Sequence, residues 1–482
     1  MLLGLDLGTT NVKALLVEED GRVVSSGSAP VQIEFSEDGG AEQNIEDIWH
    51  ATLSAVSQAV AATDGSRVEA IGVSAQGGAI QVLDSSGHPF GRVIGWQDAR
   101  GRPWDERVDE KKGSQWLIEH VGESRSAVAI GQILRLREQD ALPARFRLGF
   151  VGDVIVGRLC GRQAHDASSL SIALLLNPSL GEEDPEVLSL LGLDRSQLPS
   201  LLDVGASAGA LLPEPARRMG LRPGIPVGPA VHDQYASAVG CGAVHDGDVM
   251  FGAGTAWVLL AVIAHLAPPI AGLALLGRHP VPGLYGQMLS MVNGGSCLSW
   301  TLQTLGLGNL GAREIDQLLF TVPAGSGGLR AWPLLTAWGS AFIRRGTAGR
   351  LDGLRMDHTP AHIVRAMVEG LACELGRYLR ILIEGGVKIN RLVMCGGSAA
   401  SEVTPHIISD TTGFPVDCAM VSETSSLGAA IFARGLLEPG RGLAELSEAM
   451  KPQIRGIAPG ANHGEAAQRL RQYIASLPLL SQ

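Results

Sequence analysis

An apolar run from Leu2 to Leu5 ends on Asp6, turns through Gly8, Thr9 and Thr10, and re-enters an apolar run from Val12 to Val17. No other feature constrains the fold as strongly. The first run predicts a buried strand with Asp6 at its end, and the second a strand running back. A hairpin of this kind points backbone N–H groups and two hydroxyls at one spot beside a carboxylate. Amides converging in a turn form an anion site, and a carboxylate next to bound phosphates holds Mg²⁺ through its waters. The expectation is Mg-nucleotide binding. Taken alone, the pattern also fits an ordinary strand, glycine turn and strand, so later segments must decide.

Two do. Met250 to Leu260 repeats the design, with a turn at Gly252-Ala253-Gly254, a hydroxyl at Thr255 and an apolar strand from Ala256. Leu392 to Ser401 is an apolar strand, a Gly396-Gly397 turn, and small residues leading into a helix. Small residues there let a flat base or ribose approach the backbone. In this order, the three segments resemble the phosphate-1, phosphate-2 and adenosine segments of the actin-like ATPase superfamily.

A length of 482 residues implies two or more domains. The formal net charge of −11 argues against a nucleic-acid or anionic-membrane surface, although a local patch can still hold an anionic substrate. The six cysteines are scattered without a C-x-x-C pair, and most have apolar neighbours, which predicts buried thiols in a reducing cytoplasm. Asp6 interrupts the start before any secretory apolar core of adequate length. Residues 256–276 carry no Lys, Arg, Asp or Glu, but His265, Pro268, Pro269 and Gly272 argue for a buried strand and loop rather than a membrane span.

Asn44 is placed to cap a helix through Ala51 to Val60, with Ile48, Leu53, Val56 and Val60 on its apolar face. Residues 67–74 and 80–83 read as strands. A glycine-rich run from Gly240 to Gly254 marks the middle of the chain, and a second cycle of phosphate turn, strands and helices follows. This predicts two similar α/β halves with a cleft between them. The clearest helix follows Thr359-Pro360. Its stripe runs from Ile363 to Leu382, Gly385-Gly386 ends it, and Arg365, Glu369 and Glu374 lie off the stripe.

Gly349-Arg350-Leu351-Asp352-Gly353-Leu354, followed after seven residues by His362 to Glu369, resembles the C-terminal signature of the FGGY carbohydrate kinases. The resemblance extends through Glu42-Gln43, Ile71 to Gln76, Trp96 to Arg100, Asp153 with Arg158 to Gly161, His232-Asp233-Gln234, Gly240 to Gly242, and Ser426 to Ala430. It implies an α/β fold of two ribonuclease-H-like domains with an interdomain cleft, divided here as 1–243 and 244–482. It also implies Mg-ATP and a sugar or polyol, the latter deep in the N-terminal half. The family's first signature, near Gly131 to Glu138, departs from type: Gln132 and Arg135 stand where a lysine and a tryptophan are usual.

The same resemblance assigns roles. Asp233, at the end of an apolar strand from Val227 to Val231, matches the general base, with His232 as its neighbour. Asp6 matches the Mg²⁺ residue. Gly8, Thr9, Thr10 and Asn11 surround the β- and γ-phosphates, with a Lys13 contact left open. Gly254 and Thr255 meet the phosphates from the second half, and Gly396, Gly397, Ser398 and Ser401 line adenosine. Gln76, Gly77, Gly78, Trp96, Asp98, Asp233 and Gln234 face the sugar, where Trp96 offers a flat wall and Asp98 accepts from hydroxyls. Xylulose kinases carry Met-His, and glycerol kinases Arg-Glu, where this chain has Gly77-Gly78. The glycines are therefore expected to leave room for substrate.

The expected activity is ATP-dependent phosphorylation of a small sugar or polyol, a ketopentose such as xylulose foremost, in a cytoplasmic enzyme. Two alternatives remain: a kinase of a furanosyl signal molecule, another polyol or a sugar acid, and a non-catalytic nucleotide-dependent sensor on the same fold. A homodimer is the family's common assembly.

Overall fold

The computed structural model describes residues 1–336, 343 and 346–477. The chain forms two compact units. The first comprises Met1–His245, Val262–Gln287 and Glu423–Pro452; the second comprises Asp246–Ala261, Met288–Ser422 and the chain from Gln453 onward. Two late segments thus join the first unit, which a single cut between residues 243 and 244 does not express.

The first unit is built on strands β1 (Leu2–Leu7), β2 (Asn11–Val17), β3 (Ala70–Ala75) and β4 (Pro226–His232). β1 runs antiparallel to β2 and parallel to β3, and β4 is parallel to β3. Leu2, Leu3, Leu5 and Leu7 are all fully buried, so both faces of β1 are covered, as the uninterrupted apolar run requires. Helix α1 (Ile45–Ala61) starts where expected: the Asn44 side chain accepts the Glu46 N–H, and Ile48, Leu53, Val56 and Val60 are buried.

Helix Thr424–Leu437 lies almost on the backbone of this sheet. A β-carbon placed on Gly4 would fall 1.9 Å from the Ser426 carbonyl oxygen, and one on Gly72 would fall 1.8 Å from that of Ala429. Gly428 approaches helix α2 (Asp233–Gly240) in the same way, 1.9 Å from the Ala236 carbonyl oxygen. The small residues from Ser426 to Ala430 are therefore a packing requirement. A second, five-stranded sheet includes Pro89–Ile94, just before Trp96 and Asp98, and ends on Phe146–Phe150.

In the second unit β5 (Asp248–Ala253) pairs antiparallel with β6 (Trp257–Ile263) and parallel with β7 (Arg391–Cys395). β6 is the buried strand expected inside the uncharged stretch, and no helix among the described residues is long and apolar enough to cross a membrane. Helix α3 (Pro360–Glu384) has Thr359 as N-cap and Gly385 as C-cap. The charged residues off its apolar stripe are buried as well. Arg365 pairs with Glu369 at 3.1 Å and Arg377 with Glu374 at 2.6 Å, while the Tyr473 hydroxyl donates to Glu374 at 3.0 Å. Periodicity identified the hydrophobic face but not these satisfied internal ion pairs.

Candidate active site

The register of the first sheet aligns the carboxyl ends of three parallel strands. Asp6 of β1 lies opposite Ser74 of β3, and His232 of β4 lies opposite Ala75. Gln76 and Asp233 follow directly, which gathers Asp6, Gln76 and Asp233 at the edge where ligands of parallel α/β sheets bind.

Asp6 accepts the Ser74 hydroxyl at 3.1 Å. Burial, reinforced by the charge of Asp233, pushes its carboxyl up to about 7, against the pull of Lys13 and Ser74. Lys13 stands directly across the β1–β2 ladder from Asp6. Asp233 is the first residue of α2, and its side chain is 25% exposed. Burial pushes its carboxyl up to about 6, although the Gln234 amide donates to Oδ1 at 3.2 Å. His232 Nε2 lies 3.3 Å from Asp233 Oδ1, and burial holds that imidazole down at about 4, so it is neutral near pH 7. Two carboxylates that repel each other under partial burial fit a cation. Among the described residues no group of three His, Cys, Asp or Glu side chains could cage a metal, so Mg²⁺ here would draw most ligands from water and phosphate.

Around this pair, glutamines set the geometry. Gln43 donates to the Thr9 carbonyl at 2.9 Å and accepts Gln76 Nε2 at 2.8 Å. Gln76 is 4% exposed, and its Oε1 has no hydrogen-bond partner. The Trp96 indole donates to Thr9 Oγ1 at 3.2 Å and leaves the ring about half exposed. Gly8 donates to the Asn11 carbonyl at 3.1 Å, closing the β1–β2 turn, and Thr10 is exposed. Gln43 was not among the expected site residues; its signal was the Glu42-Gln43 pair ahead of the Asn44 cap.

Three expectations change. Asp98 has no exposed side-chain surface and accepts the Ala41 amide at 3.0 Å, the Gln132 amide at 2.9 Å and the Arg100 guanidinium at 2.6 Å. Burial raises its carboxyl, but those hydrogen bonds outweigh it and hold the group below the usual range. Asp98 therefore braces the loop, with both carboxylate oxygens engaged inside the protein. Gln132 and Arg135, the residues off the family pattern, complete that brace, with Arg135 Nε donating to Gln132 Oε1 at 2.9 Å.

The room expected beside Gly77-Gly78 is filled by protein. A β-carbon on Gly78 would lie 2.2 Å from Val128 Cγ1, and one on Gly77 would lie 2.4 Å from His232 Cδ2. Val128 itself has φ 55°, a strained conformation for a β-branched residue, retained beside the site.

In the second unit, Gly254 and Thr255 form the β5–β6 turn, and their carbonyls accept the Gly295 and Ser296 amides. Gly396 ends β7 with φ 86°, which favours glycine, and Gly397 and Ser398 begin a 3-10 turn with open space at the Gly397 α-carbon. Ser401 is the third change. Its hydroxyl donates to Asp316 at 2.5 Å and accepts the Val403 and Thr404 amides at 3.2 and 2.9 Å, so it is engaged in the turn that leads into the following helix.

The models of the N-terminal and C-terminal domains of the FGGY family of carbohydrate kinases match residues 1–240 and 250–434. The chain is 29% identical over 490 residues to a glycerol kinase of Symbiobacterium thermophilum, covering 97% of this chain and 96% of that one. It is 26% identical over 504 residues to a xylulose kinase of Escherichia coli, covering 100% of each. Its fold matches the ligand-bound xylulose kinase of Lactobacillus acidophilus with a TM-score of 0.88 at 21% identity, over 98% of this chain and 96% of that one. The glycerol kinase of Plasmodium falciparum with ADP gives 0.87 at 17% identity, over 100% and 98%.

Proposed function

We propose that this chain, which belongs to the FGGY family of carbohydrate kinases and shares their α/β fold of two actin-like ATPase domains, phosphorylates a ketopentose such as xylulose with Asp233 as general base. It is a sugar or polyol kinase; the particular sugar, the residue roles and the domain division 1–243 and 244–482 are our inference. One observation carries it: Asp6, Asp233 and the unpartnered Gln76 Oε1 gather at the carboxyl ends of adjacent strands.

The attacking hydroxyl gives its proton to the Asp233 carboxylate as its oxygen bonds to the γ-phosphorus, and the bond from phosphorus to the β-γ bridging oxygen breaks to release ADP. A carboxyl raised by burial is better matched to that proton than an ordinary aspartate. Gln76 Oε1 accepts a second hydroxyl of the sugar, and Gln234 holds the base in place. Trp96, fixed by Thr9, ties the sugar wall to the phosphate turn. The turn from Gly8 to Asn11, and in the second unit Gly254 and Thr255, supply the phosphate contacts, while Gly396 to Ser398 supply the adenosine contacts. Asp6 would hold Mg²⁺ through water, and the ion would neutralise charge on the transferring phosphate.

Neither the Arg-Glu of glycerol kinases nor the Met-His of xylulose kinases stands at Gly77-Gly78, and relatives of both kinds match nearly the whole chain; what supports xylulose is the match to the E. coli xylulose kinase over 100% of each chain. Five of the six free cysteines are buried, which suits a reducing cytoplasm. ADP release measured over a panel of ketoses, polyols, sugar acids and furanosyl compounds tests the assignment. Turnover on D-xylulose above all others is expected. A preference for another compound overturns the sugar, and no stimulation by any compound overturns the enzyme.

A further inference from the structure

A cavity of about 920 Å³ opens in the first unit, away from the Asp6–Asp233 edge. Its walls come mainly from Leu201–Ala206, Arg278–Tyr285 and Gly435–Leu446, with Glu182 and Arg195 beside them. Its polar groups are mostly donors. His279 lines it, is 6% exposed, and accepts the Val281 amide on Nδ1 at 3.1 Å. An imidazole that accepts on Nδ1 carries its proton on Nε2. That Nε2–H is buried, with no acceptor and no surface open to the cavity, so a ligand meets it only when the ring shifts.

Arg278 lines the same cavity. Its guanidinium donates to the carbonyls of Pro178 at 3.2 Å and Ser179 at 3.0 Å, lies 5.6 Å from the Tyr285 ring centre, and forms no ion pair among the described residues. The other two lining arginines are neutralised: Arg195 by Glu183 at 2.7 Å, and Arg441 by Glu438 at 3.0 Å and Glu445 at 2.7 Å. The carboxylates that line the cavity, Glu182 and Asp203, are exposed, where solvent screens them. One fixed cation without a counter-ion and ample volume, with an unmet N–H one ring shift away, call for a ligand bearing an oxyanion.

The cavity is also joined to the catalytic edge. The His279 ring meets Tyr235 edge-on at 5.7 Å, and Tyr235 meets His232 at 5.9 Å. His232 Nε2 in turn lies 3.3 Å from Asp233. Tyr235 is fully buried with an unpartnered hydroxyl, so a shift of His279 has a packed route to the base.

We propose that this cavity is a second ligand site, for a small molecule carrying a phosphate group, and that its occupancy shifts the sugar step by moving His279 against Tyr235 and His232. The coupling rests on Asp233 acting as the base; the binding does not.

The test is calorimetric titration of the full chain, without nucleotide, with inorganic phosphate, glycerol 3-phosphate and gluconate. Arg278→Gln removes the unpaired cation, and Ala206→Trp fills the cavity from a partly exposed loop position. Each should weaken phosphate-group binding about 10-fold or more, the scale of one charge-assisted contact, while Asp233→Asn leaves it within about twofold. Tighter binding of glycerol 3-phosphate than of phosphate identifies an ester ligand, and the reverse identifies the free anion. In kinase assays the same ligand should change the sugar KM or kcat in the native chain. His279→Phe, which keeps the ring but lacks the N–H, should lose both the binding and the effect. Binding of gluconate as tight as that of the phosphates, binding indifferent to both cavity variants, or no binding by any probe overturns the site. Binding without any effect on kinase rates overturns the coupling alone.

Discussion

Replacing Asp233 with Asn should slow the reaction and stabilise the ligand-free protein at once. Asn keeps the shape, and its Oδ1 can still accept the Gln234 amide now 3.2 Å away, but it cannot take the hydroxyl's proton. Losing a general base costs about 10²–10⁴-fold in turnover, or roughly 3–5 kcal/mol of barrier. The stability effect has the opposite sign. Burial raises the Asp233 carboxyl from 3.8 to about 6, so the native state binds more protons than the unfolded chain between those values. Stability therefore falls as pH rises through that window, and the full penalty is present above it. Two pH units correspond to about 3 kcal/mol, an upper bound because a quarter of the side chain meets solvent. Asn carries no such penalty. In metal-free, nucleotide-free buffer near neutral pH, the variant should melt above the native chain by a few degrees, and the gap should close as pH falls through the window. Steady-state ADP release, calorimetric ATP affinity and thermal unfolding across pH measure all of this. ATP affinity should change little, and His232→Asn should cost far less turnover. Near-full turnover in Asp233→Asn, with collapse in His232→Asn, would refute the assignment of the base. A lower melting temperature alongside lost turnover would refute the stored penalty.

Other variants address the surroundings. Gly78→His should lose native activity and stability without gaining a new sugar, because even its β-carbon meets Val128 at 2.2 Å and the backbone has φ 72°; activity and melting curves on D-xylulose check it. Gln76→Leu removes the unpartnered Oε1 and the bond to Gln43, and should raise the sugar KM by about 10-fold, the scale of an unmet buried hydrogen bond, with ATP affinity unchanged by calorimetry. Gly428→Val drives a side chain into the Ala236 carbonyl, now 1.9 Å from where the β-carbon would sit. It should cost about 3 kcal/mol or more, read as lost melting temperature or insoluble expression. Chelation of Mg²⁺ should abolish turnover while leaving the melting temperature of the nucleotide-free protein unchanged, since no group of three ligating side chains among the described residues could cage the ion and Asp6 would meet it together with the phosphates; a fall in melting temperature would show a structural metal instead.

The sequence by itself determined the strand that carries Asp6 and those that lead to Gln76 and Asp233, the Asn44 and Thr359 caps, and the long helix at 360–384. Those features are local: an apolar run, a glycine turn and a capping side chain act within a few residues. Tertiary structure decided how each side chain is used. Asp98 and Ser401 read as ligands, but Gln132 engages the first and Asp316 the second, partners that chain position does not reveal. Gly77 and Gly78 suggested space, yet His232 and Val128 arrive from distant segments to fill it. Likewise Ser426 to Ala430 looked like part of the second half, while glycines at 4, 72 and 428 let that helix settle on the first unit's backbone. A hydrogen-bonding group or a glycine states a capacity, and only packing determines which neighbour takes it up.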